Sequence, residues 1–408
     1  MNQENTIVVI GGGAAGVFGA IQIKEQNPSV NVIILEKTQK LLSKLKISGG
    51  GRCNVTHHQF DPKKLTQAYP RGNKELLGPF HHFQPADMIE WLNQKNVELK
   101  VEEDGRMFPI TDSSQTIIDC FVQTLNQLDI KVIFGQELIS ISQDENGLKI
   151  TTQDKTYDAA CCLVATGSNH KTQEILKNLG VGIIDHTPSL FTVDLPDCFL
   201  KEIPGTVFPY AKLTIKDSQL FQVGPVLVTH VGLSGPATLK LSAFAAIDLK
   251  EKNYSADLIL NVDASTDEKQ KIQFLQNLKN QLSQKHISSI PPFQLTKNSY
   301  LLILKKLGID TTVKWGHTSQ QTIEKLASFL NNMPLKMQGK STYKEEFVTA
   351  GGVDKKEINF KTMEHKNIKR LFFAGEVIDI DGITGGYNFQ NAWTTAYLAA
   401  AGVKEYLS

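Results

Sequence analysis

The chain has 408 residues, a formal net charge of +1, 41% apolar residues and 21% charged residues. That length exceeds one small core and calls for a main domain with smaller ones attached, and the balanced composition excludes a disordered polyelectrolyte. Five cysteines, Cys53, Cys120, Cys161, Cys162 and Cys198, are an odd number without disulfide-framework or zinc-ligand spacing, which points to a reducing, cytoplasmic setting.

The first apolar stretch, Thr6 to Ile23, is preceded by Glu4, lacks a basic leader and is interrupted by Gly11, Gly12 and Gly13, so it does not read as an export signal. No other run approaches a membrane span. Instead the opening predicts a strand over 6–10, a glycine turn, a helix over 14–25 and a second strand over 31–35 ending at Glu36. Both strands are continuous aliphatic runs, as in a parallel sheet covered on both faces. From Lys37 to Lys74 there are nine cations against one acid, Asp61, which is +8 on 38 residues. Such a local excess fits a solvated loop face or an anionic ligand.

Helical spacing follows at 86–94 and 114–128, with strands at 131–134, 138–142 and 161–165. From 187 to 263 short β segments with Pro and Gly punctuation predict a small β-barrel-like domain. From 264 to 336 helical spacing returns, broken by Pro291 and Pro292, and predicts a helical lobe. After 337 the chain re-enters the first domain, ending in a strand over 370–373 and a helix over 388–406. The fold class is therefore α/β: a discontinuous Rossmann-like dinucleotide domain, 1–186 with 337–408, carrying an inserted β domain and a helical lobe.

Gly11, Gly13 and Gly16 form G-x-G-x-x-G between strand and helix, where backbone N–H groups and the helix dipole receive a pyrophosphate. Glu36, twenty residues beyond Gly16, supplies the carboxylate for an adenosine ribose. The strand ending at Ala165-Thr166-Gly167 and the segment L-F-F-A-G-E-V-I-D-I-D-G-I-T-G-G over 371–386 favour FAD over NAD, with Glu376, Asp379 and Asp381 as the acids open for the ribityl chain. The Gly-rich segment 49–54 adds Arg52 as a charged fork and Asn54 as a two-way hydrogen-bonder. Cys53 reads either as a proton donor or as a packed thiol, and His230 either as an acid of suitable pKa range or as a turn cap. His81 and His82 have no Cys or Glu companions at metal-ligand spacing, so no metal is expected.

The segments K-L-K-I-S-G-G-G-R-C-N-V-T (44–56), G-R-M-F-P (105–109), T-H-V-G-L-S-G-P-A (229–237), T-A-G-G-V (349–353) and A-G-E-V-I-D-I-D-G-I-T-G-G-Y-N (374–388) resemble, in order and over nearly the whole chain, the bacterial YhiN/BaiN-type flavoproteins, also labelled aminoacetone-oxidase-like. His57 stands where that family usually has Asn, and Ala396 where Gly is frequent. The resemblance implies FAD and redox chemistry. Together with the motifs it puts the cofactor contacts at Gly11, Gly13, Ala14, Ala15, Gly16, Glu36, Lys37, Arg52, Asn54, Leu138, Gly167, Gly375, Glu376, Asp381, Gly385, Gly386, Asn388 and Phe389. Only one G-x-G-x-x-G is present, so NAD(P)H is expected as a transient electron donor without a domain of its own.

A flavin beside one proton donor suits reduction of a polarised C=C bond, and the resemblance offers two substrate classes, steroid-like enones and the uracil ring of large-subunit rRNA. The basic segment 37–74, with Tyr69 and Phe60 for stacking, leans toward RNA. An amine oxidase and a flavin-dependent binding module without turnover are the readings of other kinds.

Overall fold

The computed structural model describes residues 6–145, 147–341 and 348–407. The chain divides into two compact units, Met1–His186 with Thr349–Ser408, and Thr187–Val348.

The first unit is built on a seven-stranded sheet in which two short antiparallel strands, Ile358–Asn359 and Glu364–His365, edge a five-stranded parallel core. The core strands are β1 (Thr6–Ile10), β2 (Asn31–Glu36), β3 (Lys131–Phe134), β4 (Cys161–Val164) and β5 (Leu371–Phe373), in the order β5-β4-β1-β2-β3. The register runs Ile7 opposite both Cys161 and Val32, with Ile33 opposite Lys131 and Cys162 opposite Leu371. All of β1 and β4 is buried, which is why both read as unbroken apolar runs. Helix α1 (Ala14–Gln26) is buried over most of its surface, so it lacks the one-sided pattern of a surface helix. Phe18 on α1 meets Trp91, Phe121 and Trp393 at centroid distances of 5.2, 6.3 and 5.5 Å. Phe121 lies on α2 (Ser114–Gln127) and Trp393 on α3 (Tyr387–Leu407), so one ring gathers three segments that are distant in sequence.

The second unit holds a seven-stranded antiparallel sheet ordered Met333–Gln338, Ser255–Asn261, Val207–Ile215, Phe221–Val228, Gly232–Ser234, Thr192–Asp194 and Lys340–Ser341. Leu213, Leu258 and Leu260 of that sheet share one core with Leu275, Ile303, Trp315, Leu326 and Leu330 from the helical stretches. The sequence reading separates 187–263 from 264–336 and returns the chain at 337. In the structure the two parts close a common core, and the return falls at Thr349. The reason is local: Met333–Gln338 pairs along its length with Ser255–Asn261, turning Met333, Leu335 and Met337 inward.

Candidate cofactor and active site

The glycine turn between β1 and α1 has three different physical demands. Gly11 has φ +107°, and a Cβ there would lie 2.5 Å from the Ala165 carbonyl oxygen. A Cβ on Gly16 would lie 1.9 Å from the Gly11 oxygen, so this glycine lets helix and turn touch. Gly13 is different: its φ is −82°, and a Cβ there would meet nothing within 4 Å. Neither backbone nor packing requires a glycine at that position, which fronts the open N-terminus of α1. No side chain caps this helix start and its first turn carries no acid, leaving the N–H groups of the Ala14–Ala15 turn and the helix dipole for an outside anion.

At the end of β2 the Glu36 carboxylate accepts from the Gly12 and Thr38 N–H groups, each at 2.7 Å. The carboxylate is thereby oriented beside the glycine turn. A pocket opens there, lined by Gly11, Glu36, Lys37, Leu138, Thr166 and Lys171 among others. It lies at the carboxyl ends of β1, β2 and β4, where open parallel sheets take nucleotides. The Thr166 hydroxyl is buried and meets no hydrogen-bond partner among the described residues. A polar atom left so in a cleft calls for a ligand or water.

The far end of the site is built by the segment after β5. Gly375 approaches α1, where a Cβ would lie 2.8 Å from that of Ala15. One oxygen of Glu376 accepts from Lys44 Nζ at 2.6 Å, while the other is buried without a partner among the described residues. Gly167 faces the same carboxylate, a Cβ there lying 3.3 Å from Glu376 Oε2. The other two acids are engaged: Asp379 accepts from Gly351 N–H at 3.0 Å and pairs with Lys355, and Asp381, fully buried, pairs with both arms of the Arg71 guanidinium. Glu376 alone of the three keeps an oxygen unclaimed.

Residues 382–386 then turn into α3. Asn388 closes this turn on itself, accepting from Gly382 N–H and donating to Gly382 O, each at 2.8 Å. With its amide set to match its neighbours, Asn54 accepts from Gly386 N–H and donates to Thr56 O, both at 3.0 Å. His57 Nδ1 lies 3.0 Å from the Gly385 oxygen, so that nitrogen carries the proton. Phe389 stacks on Trp393. Gly385 and Asn388 are thus part of the same turn that Asn54 supports. Opposite, Gly50 and Gly51 have φ of +70° and +84°, and a Cβ on either would meet nothing within 4 Å, leaving a bare stretch of backbone.

Several predicted residues have other employments. The Arg52 guanidinium lies over the Phe108 ring and pairs with Glu102 at 2.6 Å; that hydrogen bond raises its pKa further. Cys53 has φ +63° and is fully buried. Loss of solvent pushes its thiol up to about 12 against a smaller opposing pull from Ser48, so it sits as a packed, protonated thiol. Tyr69, expected to be available for stacking, is instead buried, donating its hydroxyl to Tyr387 O at 2.7 Å; Phe60 is exposed and meets His58 edge-on. His230 is exposed in the second unit, on a turn where Thr229 Oγ1 accepts from Gly232 N–H at 3.1 Å. Of the nine cations in 37–74, Lys44, Arg52 and Arg71 pair with acids of the same unit, while Lys37, Lys40, Lys46, Lys63, Lys64 and Lys74 are exposed. Sequence reasoning missed Thr166, Lys44 and Lys171. The first carries the A-T-G signal itself and Lys44 opens the segment 44–56, whereas Lys171 has no motif to mark it.

A glycine turn, an oriented carboxylate and a second glycine segment on one parallel sheet define a Rossmann-type flavin oxidoreductase. The chain belongs to the family described as HI0933-like protein Rossmann domain, which matches residues 5–402. It is 28% identical to the ribosomal RNA dihydrouridine synthase of Escherichia coli (strain K12), over 96% of each chain. It is 24% identical to the 3-dehydro-bile acid delta(4,6)-reductase of Clostridium scindens, over 98% of this chain and 99% of the relative. Among solved structures, the 3-ketosteroid-delta4-(5alpha)-dehydrogenase of Rhodococcus jostii RHA1 shares the fold, with a TM-score of 0.51 at 13% identity over 97% of each chain. The protein is an FAD-dependent oxidoreductase. The open face of Gly13 and the two buried oxygens of Thr166 and Glu376 suit the pyrophosphate and polyol of that cofactor. Among the described residues no helix is long and apolar enough to cross a membrane, and no group of His, Cys, Asp and Glu gathers as a metal set.

Proposed function

We propose that this protein reduces a polarised C=C bond with electrons from NAD(P)H, and that its substrate is a uracil of large-subunit rRNA, giving dihydrouridine. The observation that carries the substrate is the near full-length likeness to a relative named for that reaction. Beside Lys37, the five exposed lysines Lys40, Lys46, Lys63, Lys64 and Lys74 add a surface suited to phosphates.

When bound, FAD supplies hydride to one carbon of the double bond. The chain's part is to hold the cofactor and deliver a proton. Gly11 to Gly16 and the start of α1 would receive the pyrophosphate, Glu36 and Lys37 the adenosine end, and Glu376 the ribityl chain. Gly385 and Gly386, in the turn held by Asn54 and Asn388, together with Phe389 would hold the flavin-ring end. Of the two proton-donor candidates of the sequence, His230 is exposed on a turn fixed by Thr229. Cys53, fully buried with its thiol pushed up to about 12, is the less accessible of the two.

The second reading, a small enone as substrate, is favoured by the likeness to the bile acid reductase. Mapping dihydrouridine in large-subunit rRNA from cells with and without the gene decides between them. Loss of one modified position, restored by the wild-type gene, supports the RNA substrate; an unchanged map overturns it and turns the search to enones.

A further inference from the structure

The turn from Ile380 to Tyr387, which leads into α3, is gripped from two sides, by the segment that follows the Gly-rich stretch 49–51 and by the segment Ala68 to Gly72. On one side stand Asn54 and His57, already seen to bond Gly386 and Gly385. The His57 ring also stacks on Tyr387 at 4.5 Å, and a Cβ on Gly386 would lie 2.5 Å from the Thr56 carbonyl. On the other side stands the segment Ala68 to Gly72. Ile383 N–H donates to Ala68 O at 2.9 Å, and the Tyr69 hydroxyl donates to Tyr387 O at 2.7 Å. A Cβ on Gly72 would fall 2.6 Å from Ile380 Cγ1. The fork of Arg71 meets both oxygens of Asp381.

The charged pair is the feature that packing alone does not explain. The Asp381 side chain is 0% exposed and that of Arg71 13%, so both charges have been taken out of water, which costs each ion its hydration. An apolar pair of the same shape often does as well for stability. What the ion pair adds is direction, since a guanidinium fork on a carboxylate fixes distance and plane together. Asp381 stands five residues before Gly386, so fixing its carboxylate fixes the path by which the chain enters α3.

We propose that Arg71 is a positioning residue for the flavin-ring end of the site: paired with Asp381, it sets the Ile380–Tyr387 turn and hence the N–H groups at the start of α3. This rests on FAD occupying that turn. Arg71 thereby leaves the set of cations available to RNA and joins the architecture of the redox centre.

The test uses the full-length protein, titrated with FAD after the flavin has been stripped, and then the visible bands of the reloaded protein. Arg71→Lys keeps the charge but loses the fork. Arg71→Met with Asp381→Leu removes the pair without leaving a buried carboxylate unpaired. Lys171→Ala perturbs the adenosine end as a control. Both Arg71 variants should bind FAD about tenfold or more weakly and show displaced flavin bands, whereas Lys171→Ala should lower affinity with the bands unmoved. Folded Arg71 variants with wild-type affinity and bands overturn the proposal. If Lys171→Ala and Gly13→Ala also bind FAD as the wild type does, the cofactor placement itself fails.

Discussion

Two glycines three residues apart should fail in opposite ways when each gains a methyl group. In Gly13→Ala the new Cβ meets nothing within 4 Å, and φ of −82° suits alanine. The protein without cofactor loses only what alanine costs at a helix N-cap, under about 1 kcal/mol, or a melting shift of at most about 2 °C. The methyl group does, however, stand where the pyrophosphate must approach. Displacing one charged hydrogen bond to phosphate costs about 1.5–3 kcal/mol, so the FAD dissociation constant should rise about 10- to 150-fold. In Gly16→Ala the new Cβ falls 1.9 Å from the Gly11 carbonyl oxygen, and no rotamer relieves a clash with backbone. Helix and turn must separate, at about 3 kcal/mol or more, with or without FAD. The assay is paired: thermal melting of the stripped protein and fluorescence titration with FAD. Wild-type affinity in Gly13→Ala refutes the pyrophosphate placement; wild-type melting in Gly16→Ala refutes the packing argument.

Cys53→Ala should leave turnover near wild type, and a loss beyond about 100-fold would return the thiol to the chemistry. The same thiol makes stability depend on pH: its folded pKa is raised to about 12 from an ordinary 9.0, so its contribution is complete below about pH 9 and is lost as pH rises toward about 12. Denaturation midpoints measured between pH 8 and 11 should fall, less steeply in Cys53→Ala. For Glu376→Gln the lost pair with Lys44, whose side chain is 63% exposed, costs under about 1 kcal/mol in urea unfolding, while FAD affinity should drop measurably; an unchanged affinity would remove Glu376 from the cofactor. Lys63→Glu with Lys64→Glu should weaken rRNA binding and flatten its salt dependence without moving the flavin bands, and equal binding by the variant would clear these two lysines of an RNA role.

The parts legible in the sequence are those whose pattern is local. The β1-α1-β2 unit announces itself because β1 is buried throughout, β2 from its second residue on, and Gly11 and Gly16 answer to neighbours a few residues away or in a fixed strand. The hairpin Leu148–Thr152 with Thr156–Ala159 escaped notice because its outer positions are Lys149 and Asp158, which pair across strands and read singly as loop residues. Pro236–Phe244 escaped as a helix because its buried face includes Thr238 and Ser242, so no apolar stripe marks it. The boundary at 337 was misplaced because a strand such as Met333–Gln338 shows in sequence only that it is half-buried, and not which sheet buries it.

The charge pattern of 37–74 shows most plainly what a linear reading cannot supply. Nine cations against one acid is a true count, but its meaning depends on acids elsewhere in the chain. Arg71 meets Asp381 across 310 positions and Lys44 meets Glu376 across 332. A local excess of charge overstates the free charge of a folded surface by whatever the fold pairs off. The arginines are the ones withdrawn here, Arg52 onto Phe108 and Glu102 and Arg71 onto Asp381, while six lysines stay in solvent. That division follows from chemistry: a planar, weakly hydrated fork loses less on burial than an ammonium and returns two directed bonds. On the proposed reading the same segment does two jobs, Arg71 bracing the turn before α3 and the exposed lysines left for an outside polyanion. Substitutions should separate accordingly, those at Arg71 in the flavin spectrum and those at the lysines in salt-dependent RNA binding.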